Sequence, residues 1–135
     1  MGTIIREFII DCADSRMLAR FWGAVLGLAH EDYPEGSAVK LPPDNWPSMI
    51  FFREVHEAKR VKNRLHFDLN PVGGTLADEI NRLTKLGAVV LSKHRRGADL
   101  GWAVMADLEG NEFCIQSSDT EVAEFLAQID SEDVP

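Results

Sequence analysis

Three polar side chains near the end of the sequence, Glu112, Cys114 and Gln116, alternate with the apolar residues Phe113 and Ile115. In a β-strand the polar residues share one face and the apolar residues face the core. A carboxylate beside a thiol and an amide is not a core face, so we predict either a solvated sheet edge or the wall of a polar cavity. A neighbouring carboxylate raises the pKa of a thiol, so Cys114 is predicted to line the cavity rather than act as a nucleophile.

A second alternating segment places His66, Asp68 and Asn70 on one strand face and apolar residues on the other. Two interpretations of Asp68 stay open. Its carboxylate either lines the same cavity or pairs with an arginine such as Arg6 or Arg64. In the same way, His66 is either a functional group or a hydrogen-bonded partner inside a polar cavity.

Tryptophans are candidate walls for a flat ligand. Trp102 begins a predicted strand and Trp46 lies in a predicted loop, so these two are the better candidates. Trp22 lies on a predicted helix, where a core or dimer-interface position is more common.

One basic segment stands out in an otherwise acidic chain. We predict a loop there, which either is solvated or closes over an anionic ligand. Its four residues are Lys93, His94, Arg95 and Arg96.

The elements that position these residues follow a β-α-β-β-β pattern that occurs twice. Module one spans residues 1–54, with strands at 4–12, 28–33, 37–41 and 48–53 and a helix at 15–26. Module two spans residues 63–117, with strands at 64–70, 88–93, 102–106 and 112–116 and a helix from 75 to about 86. An amphipathic helix at 119–130 and a tail at 131–135 complete a single predicted domain, 1–130. Units that cannot bury their own sheet face tend to pack together, so we expect two curved sheets to form a cup.

The composition limits the partners. The chain has 135 residues, 45% of them hydrophobic, and a net charge of −8, which argues against nucleic acid or an anionic membrane as partner. Cys12 and Cys114 are not spaced as a metal clip or redox pair, so we expect a cytoplasmic protein. We expect neither a signal peptide nor a membrane-spanning segment.

Three segments resemble the vicinal oxygen chelate superfamily, which includes glyoxalase I, bleomycin-resistance proteins and extradiol dioxygenases. They are FWGAVLGL at 21–28, RLHFDL at 64–69 and WAVMADLEGNEFC at 102–114. The resemblance is greatest to its glyoxalase-like branch. It implies an α+β fold of paired βαβββ modules around an open cup, and a homodimer.

The resemblance also implies metal ligands on the first and last strands of each module. His66 and Glu112 match these positions in module two. In module one, Glu7 stands where a histidine is usual, and Ser48 or Met49 stands where Glu, Gln or His is expected. Glu7, His66 and Glu112 are therefore the candidate ligands for Zn, Ni, Mn or Fe.

Three functions follow from these expectations. The first is the binding of a small organic molecule in the cup between the modules, and the incomplete ligand set favours it. The alternative is a metal-dependent lyase or dioxygenase in which the ion acts as a Lewis acid. A third interpretation is a dimeric interaction module without a ligand, which a well-formed cavity would count against.

Overall fold

In the computed structural model, residues 1–44, 46–96 and 100–132 are described, and the chain divides into two compact units. The first unit is Met1–Val61 and the second is Lys62–Pro135. Within the described ranges, no helix combines the length and apolar character needed to cross a bilayer.

The first unit is a four-stranded sheet covered by one helix. Its elements are β1 (Phe8–Cys12), α1 (Ser15–Leu26), β2 (His30–Tyr33), β3 (Gly36–Lys40) and β4 (Met49–Glu54). The strand order is β1-β4-β3-β2, with β1 parallel to β4 and the other pairs antiparallel. The helix begins where the Asp14 side chain accepts a hydrogen bond from Met17 N, and it ends at Gly27, which has a left-handed φ of 67°.

The second unit repeats this topology and adds a terminal helix. Its elements are β5 (Asp68–Leu69), α2 (Leu76–Leu86), β6 (Val89–Arg96), β7 (Leu100–Ala106), β8 (Glu112–Gln116) and α3 (Asp119–Glu132). The strand order is β5-β8-β7-β6, with β5 parallel to β8. A capping box starts α2, because Thr75 Oγ1 accepts from Asp78 N and Asp78 Oδ2 accepts from Thr75 N. The predicted α+β fold of two βαβββ modules with a terminal helix is confirmed.

Several predicted boundaries were wrong. The strand predicted at 4–12 begins only at Phe8, and the strand predicted at 64–70 is reduced to Asp68–Leu69. The strand predicted at 88–93 continues to Arg96, so all four basic residues predicted to form a loop lie in β6. Residues 97–99 of the predicted basic loop lie outside the described residues.

Alternation divides each sheet into a helix-covered face and an open face. Val39, Ile50 and Phe52 are buried in the first unit, as are Met105 and Phe113 in the second. In β4, β7 and β8 the intervening positions are half-buried or exposed, which leaves an open face on each sheet.

The terminal helix is amphipathic but incompletely covered. Phe125 is half-buried, whereas Leu126 is 54% exposed. The apolar stripe of this helix is therefore only partly covered within the second unit.

Candidate functional site

A cavity of about 480 Å³ lies on the open face of the first sheet. The strands position its walls, because Ile9 of β1 is the ladder partner of Phe51 in β4. Tyr33 pairs with Gly36, and the rings of Tyr33 and Phe51 approach to 6.3 Å. A side chain at position 36 would collide with the backbone, since its Cβ would lie 2.1 Å from Phe52 O. The described residues that line it are Glu7, Ile9, Tyr33, Glu35, Met49, Phe51 and Arg53.

Charged groups surround this cavity. Arg53 Nη2 lies 3.4 Å from Asp11 Oδ1, so part of its charge is already balanced. The Tyr33 hydroxyl donates to Glu31, and this bond raises the pKa of the Tyr33 hydroxyl and lowers the pKa of the Glu31 carboxyl. Lys40 Nζ also donates to Glu31 at 3.2 Å. Glu31 thereby fixes the tyrosine ring at the cavity's edge.

The open face of the second sheet carries three of the residues predicted to line a ligand cavity. Asp68 is the parallel ladder partner of Cys114, and Trp102 is the antiparallel partner of Gln116. Gln116 Nε2 donates to Asp68 Oδ1 at 2.8 Å. Asp68 thus forms a hydrogen bond with an amide of its own sheet face.

The thiol of Cys114 has a raised pKa. Burial is the main cause, the negative charge of Asp68 adds to it, and Lys62 opposes it. From the sequence, the neighbouring carboxylate of Glu112 was expected to raise the thiol pKa. In the structure desolvation is the larger cause, and the nearby negative charge is that of Asp68. A thiol that resists ionisation is a poor nucleophile.

Trp102 is held by two residues of the basic segment. The His94 ring stacks on the Trp102 ring with centroids 4.7 Å apart and planes 16° apart. Arg96 Cζ lies 4.9 Å from the same ring centroid, a cation–π distance. Ser92 Oγ contacts His94 Nε2 at 2.9 Å. The indole ring therefore stands on the open face as a preorganised platform.

Glu112 begins β8, and His66 precedes β5 and is exposed. Each lies two residues before a member of the Asp68–Cys114 ladder pair, so His66, just before β5, and Glu112, at the start of β8, have the same sequence offset from that pair. Asn63 binds Glu112 twice, because its N–H donates to Glu112 Oε2 at 2.9 Å and its Nδ2 donates to Glu112 O at 3.1 Å.

The predicted metal centre does not fit the second unit as a three-ligand group. Among the described residues of that unit, no three His, Cys, Asp or Glu side chains form a group that could hold an ion. The other predicted ligand, Glu7, belongs to the first unit and lines its cavity. The three-residue ligand set therefore stays a prediction.

Trp46 belongs to the first unit and is 66% exposed. It is not among the residues described as lining the cavity there. Sequence reasoning instead missed three cavity residues, Tyr33, Met49 and Phe51. Alternation in β4 could have identified Met49 and Phe51, since Ile50 and Phe52 take the buried face.

Comparison with known proteins supports this architecture. The model of the glyoxalase-like domain family matches residues 7–116. Among the curated proteins compared, none matches this sequence.

Three solved structures share the fold. A hypothetical protein from S. aureus has a TM-score of 0.61 and 15% identity, with 86% of this chain and 93% of that chain covered. A variant of the fosfomycin resistance protein FosX from Listeria monocytogenes, complexed with Mn(II) and 1S,2S-dihydroxypropylphosphonic acid, has a TM-score of 0.67 and 10% identity, with 90% and 94% covered. A glyoxalase/bleomycin resistance protein/dioxygenase family enzyme from Burkholderia phytofirmans PsJN has a TM-score of 0.59 and 19% identity, with 84% and 98% covered. At these identities the likeness shows the fold alone.

Proposed function

The chain belongs to the glyoxalase-like domain family, and on this basis we propose that it binds a small organic molecule on the open faces of its sheets. The observation that carries the proposal is the cavity of about 480 Å³ on the first sheet. Ligand pockets commonly have volumes of roughly 300–1,000 Å³ and join apolar walls to a few polar groups. Ile9, Met49 and Phe51 supply the apolar wall, and Glu7 and Arg53 supply charge.

The open face of the second sheet supports the same function. Trp102 offers an aromatic surface already fixed by His94, so little side-chain freedom is lost when a ring stacks on it. The Asp68–Gln116 pair supplies polar groups two strands away. These features suit a planar organic compound with a few polar substituents. A formed cavity also counts against an interaction module without a ligand.

A matched pair of methionine substitutions tests the proposal. Met49 lines the cavity, whereas Met17 is 52% exposed on α1. A panel of aromatic amines, aromatic carboxylates and neutral aromatics is screened by ligand-observed NMR, and affinities of the hits are measured by calorimetry. Met49→Trp fills the cavity and should weaken binding at least about tenfold. Met17→Trp should leave affinity unchanged, and equal affinities in both variants would overturn the proposal.

A second candidate function is divalent-metal binding by the second unit, with metal-dependent lyase or dioxygenase activity. The equal offsets of His66 and Glu112 from the Asp68–Cys114 ladder pair favour it, and a structural neighbour is complexed with Mn(II). The test is elemental analysis of protein that is purified without chelator and incubated with Mn, Fe, Ni or Zn. If the second unit binds metal, the protein should contain nearly one metal ion per chain. The metal should disappear in both His66→Ala and Glu112→Ala and persist in His56→Ala. Metal content that is unchanged in the first two variants would remove this candidate.

A further inference from the structure

Strand pairing divides the basic segment between two faces of the second sheet. In β6, His94 is the ladder partner of Trp102 and lies on the open face. Lys93 is instead the partner of Ala103, and Arg95 is the partner of Gly101. Ala103 and Gly101 are both buried beneath the helices. Lys93 and Arg95 therefore lie on the helix side, away from the open face.

A cavity of about 340 Å³, which we call the helix-side cavity because α2 forms one of its walls, includes Lys93 and Arg95; His94 and Trp102 of the open face also line it. Leu76, Ala77 and Ile80 of α2 form one apolar wall. Lys93 and Arg95 contribute to the opposite wall. Residues two apart on a strand are about 6.6 Å apart along the chain, so the two cations can flank one small anionic group.

Within the described ranges, the two cations of this cavity, Lys93 and Arg95, have no ion-pair partner. Glu121 is the only carboxylate among the described lining residues. Its Oε1 already accepts from Leu76 N at 2.7 Å and from Ser118 N at 2.9 Å. Two unpaired cations in a chain of net charge −8 mark a local site for an anion.

We propose that this helix-side cavity binds an organic anion in which a carboxylate head is joined to a short apolar body. The head lies between Lys93 and Arg95, where charge-assisted hydrogen bonds are available. The apolar body lies against Leu76, Ala77 and Ile80, where burial of its surface adds to affinity. This cavity shares no described lining residue with the 480 Å³ cavity of the first unit, and it adjoins the open face of the second sheet through His94 and Trp102.

Octanoate, inorganic phosphate and uncharged octanamide are the probes, titrated into the full chain and followed by amide NMR and calorimetry. Octanoate should bind most tightly, because only it offers both a charge and an apolar chain. Its largest shifts should fall at Asn81 and Gly101 of the cavity, rather than at Cys114 and Gln116 of the open face. Shifts centred on the open face, or an absence of saturable octanoate binding, would overturn the proposal. Tighter binding of phosphate or octanamide would overturn the assigned ligand class.

Two double variants test the assignment to this cavity. Lys93→Gln/Arg95→Gln should weaken octanoate binding about tenfold or more. The matched control, Lys62→Gln/Arg64→Gln, removes two exposed cations that are not among the described lining residues and should change affinity less than about twofold. Equal weakening in both would refute the assignment to this cavity. Circular dichroism checks that each variant is folded. If one variant is not folded, the amide shifts of the wild-type protein alone test whether octanoate binds in this cavity.

Discussion

Asp107 is a buried carboxylate that organises the turn between β7 and β8. It is 3% exposed, and its Oδ1 accepts from the backbone N–H groups of Glu109 and Asn111, both at 2.9 Å. Asn111 Nδ2 donates to Oδ2 at 2.9 Å. Gly110 alone in this turn has a positive φ, of 85°. Asn111 contributes to the turn through its side chain, which donates to Asp107, and not through a positive φ.

Replacement of Asp107 by alanine should destabilise the fold. It leaves the N–H groups of Glu109 and Asn111 without their acceptor, and such groups cost about 1–3 kcal/mol each when buried. We expect urea denaturation to show a loss of about 3 kcal/mol in the free energy of unfolding. Asp44→Ala, at an exposed turn, is the control and should change stability by less than about 0.5 kcal/mol. If both substitutions changed the free energy of unfolding equally, the hydrogen bonds of Asp107 would make no net contribution to stability.

The reactivity of Cys114 provides a test of charge at the open face. Its raised pKa means that less thiolate is present at pH 8 than in an ordinary cysteine, so alkylation by iodoacetamide should be slow. Asp68→Asn removes the negative charge that raises the pKa and should speed the reaction. Lys62→Gln removes a charge that lowers the pKa and should slow it. Peptide mass mapping separates Cys114 from the buried Cys12, and rates that move in the same direction would contradict this account.

At the scale of elements, Glu121 joins two helix N-termini. Its Oε1 accepts from Leu76 N, the first residue of α2, and from Ser118 N, just before α3. Ser118 Oγ accepts in return from Glu121 N at 3.1 Å, which completes a capping box for α3. One carboxylate thus starts α3 and ties it to α2.

Loss of this carboxylate should release α3 without unfolding the sheet. Glu121→Ala is expected to lower the free energy of unfolding by about 1–3 kcal/mol. It should speed amide hydrogen exchange most strongly in α3. Glu121→Gln keeps an oxygen acceptor and should give a smaller effect. Glu124→Ala, on an exposed position of the same helix, should leave exchange unchanged. If Glu121→Ala sped hydrogen exchange equally throughout the second unit, the carboxylate would not act locally on α3.

Helices and caps were predictable, whereas strand ends were not. The side chains of Asp14 and Thr75 cap the starts of α1 and α2, and Gly27 ends α1 because glycine readily adopts a left-handed φ. The sequence therefore identifies the helix of each βαβββ module. A strand end depends on its neighbour in the sheet. β5 is an edge strand that pairs only through Asp68 and Leu69, although alternation continues through 64–70.

The basic segment shows the opposite error. Its charges predicted a loop, but pairing with β7 extends β6 to Arg96, since Arg96 finds a ladder partner in Leu100. Pairing also decides which basic residues share a face, because Lys93 and His94 separate to opposite sides. The open-face residues Asp68, Trp102 and Cys114 were predictable from alternation alone. The 480 Å³ cavity was not, because Tyr33 reaches Phe51 only through the β2–β3–β4 order.

At the scale of the whole molecule, the surface retains large apolar side chains. Ile4 and Ile5 precede β1 and are 69% and 59% exposed, and Val89 and Leu91 of the edge strand β6 are 56% and 53% exposed. Exposed apolar groups of this kind mark surfaces for association when they are contiguous. They support the homodimer that the sequence resemblance predicts, which we retain as a proposal.

The dimer proposal makes a salt-dependent prediction. Each chain carries a net charge of −8, so two copies repel one another at long range, and salt screens that repulsion. Apolar contacts are not weakened by moderate salt, so a dimer held by them should become tighter as ionic strength rises. Light scattering coupled to size exclusion should therefore give twice the mass of one chain, with less dissociation on dilution at high salt. A monomer at every concentration and salt level would contradict the dimer, and a dimer that dissociates as salt rises would show that ion pairs hold it instead.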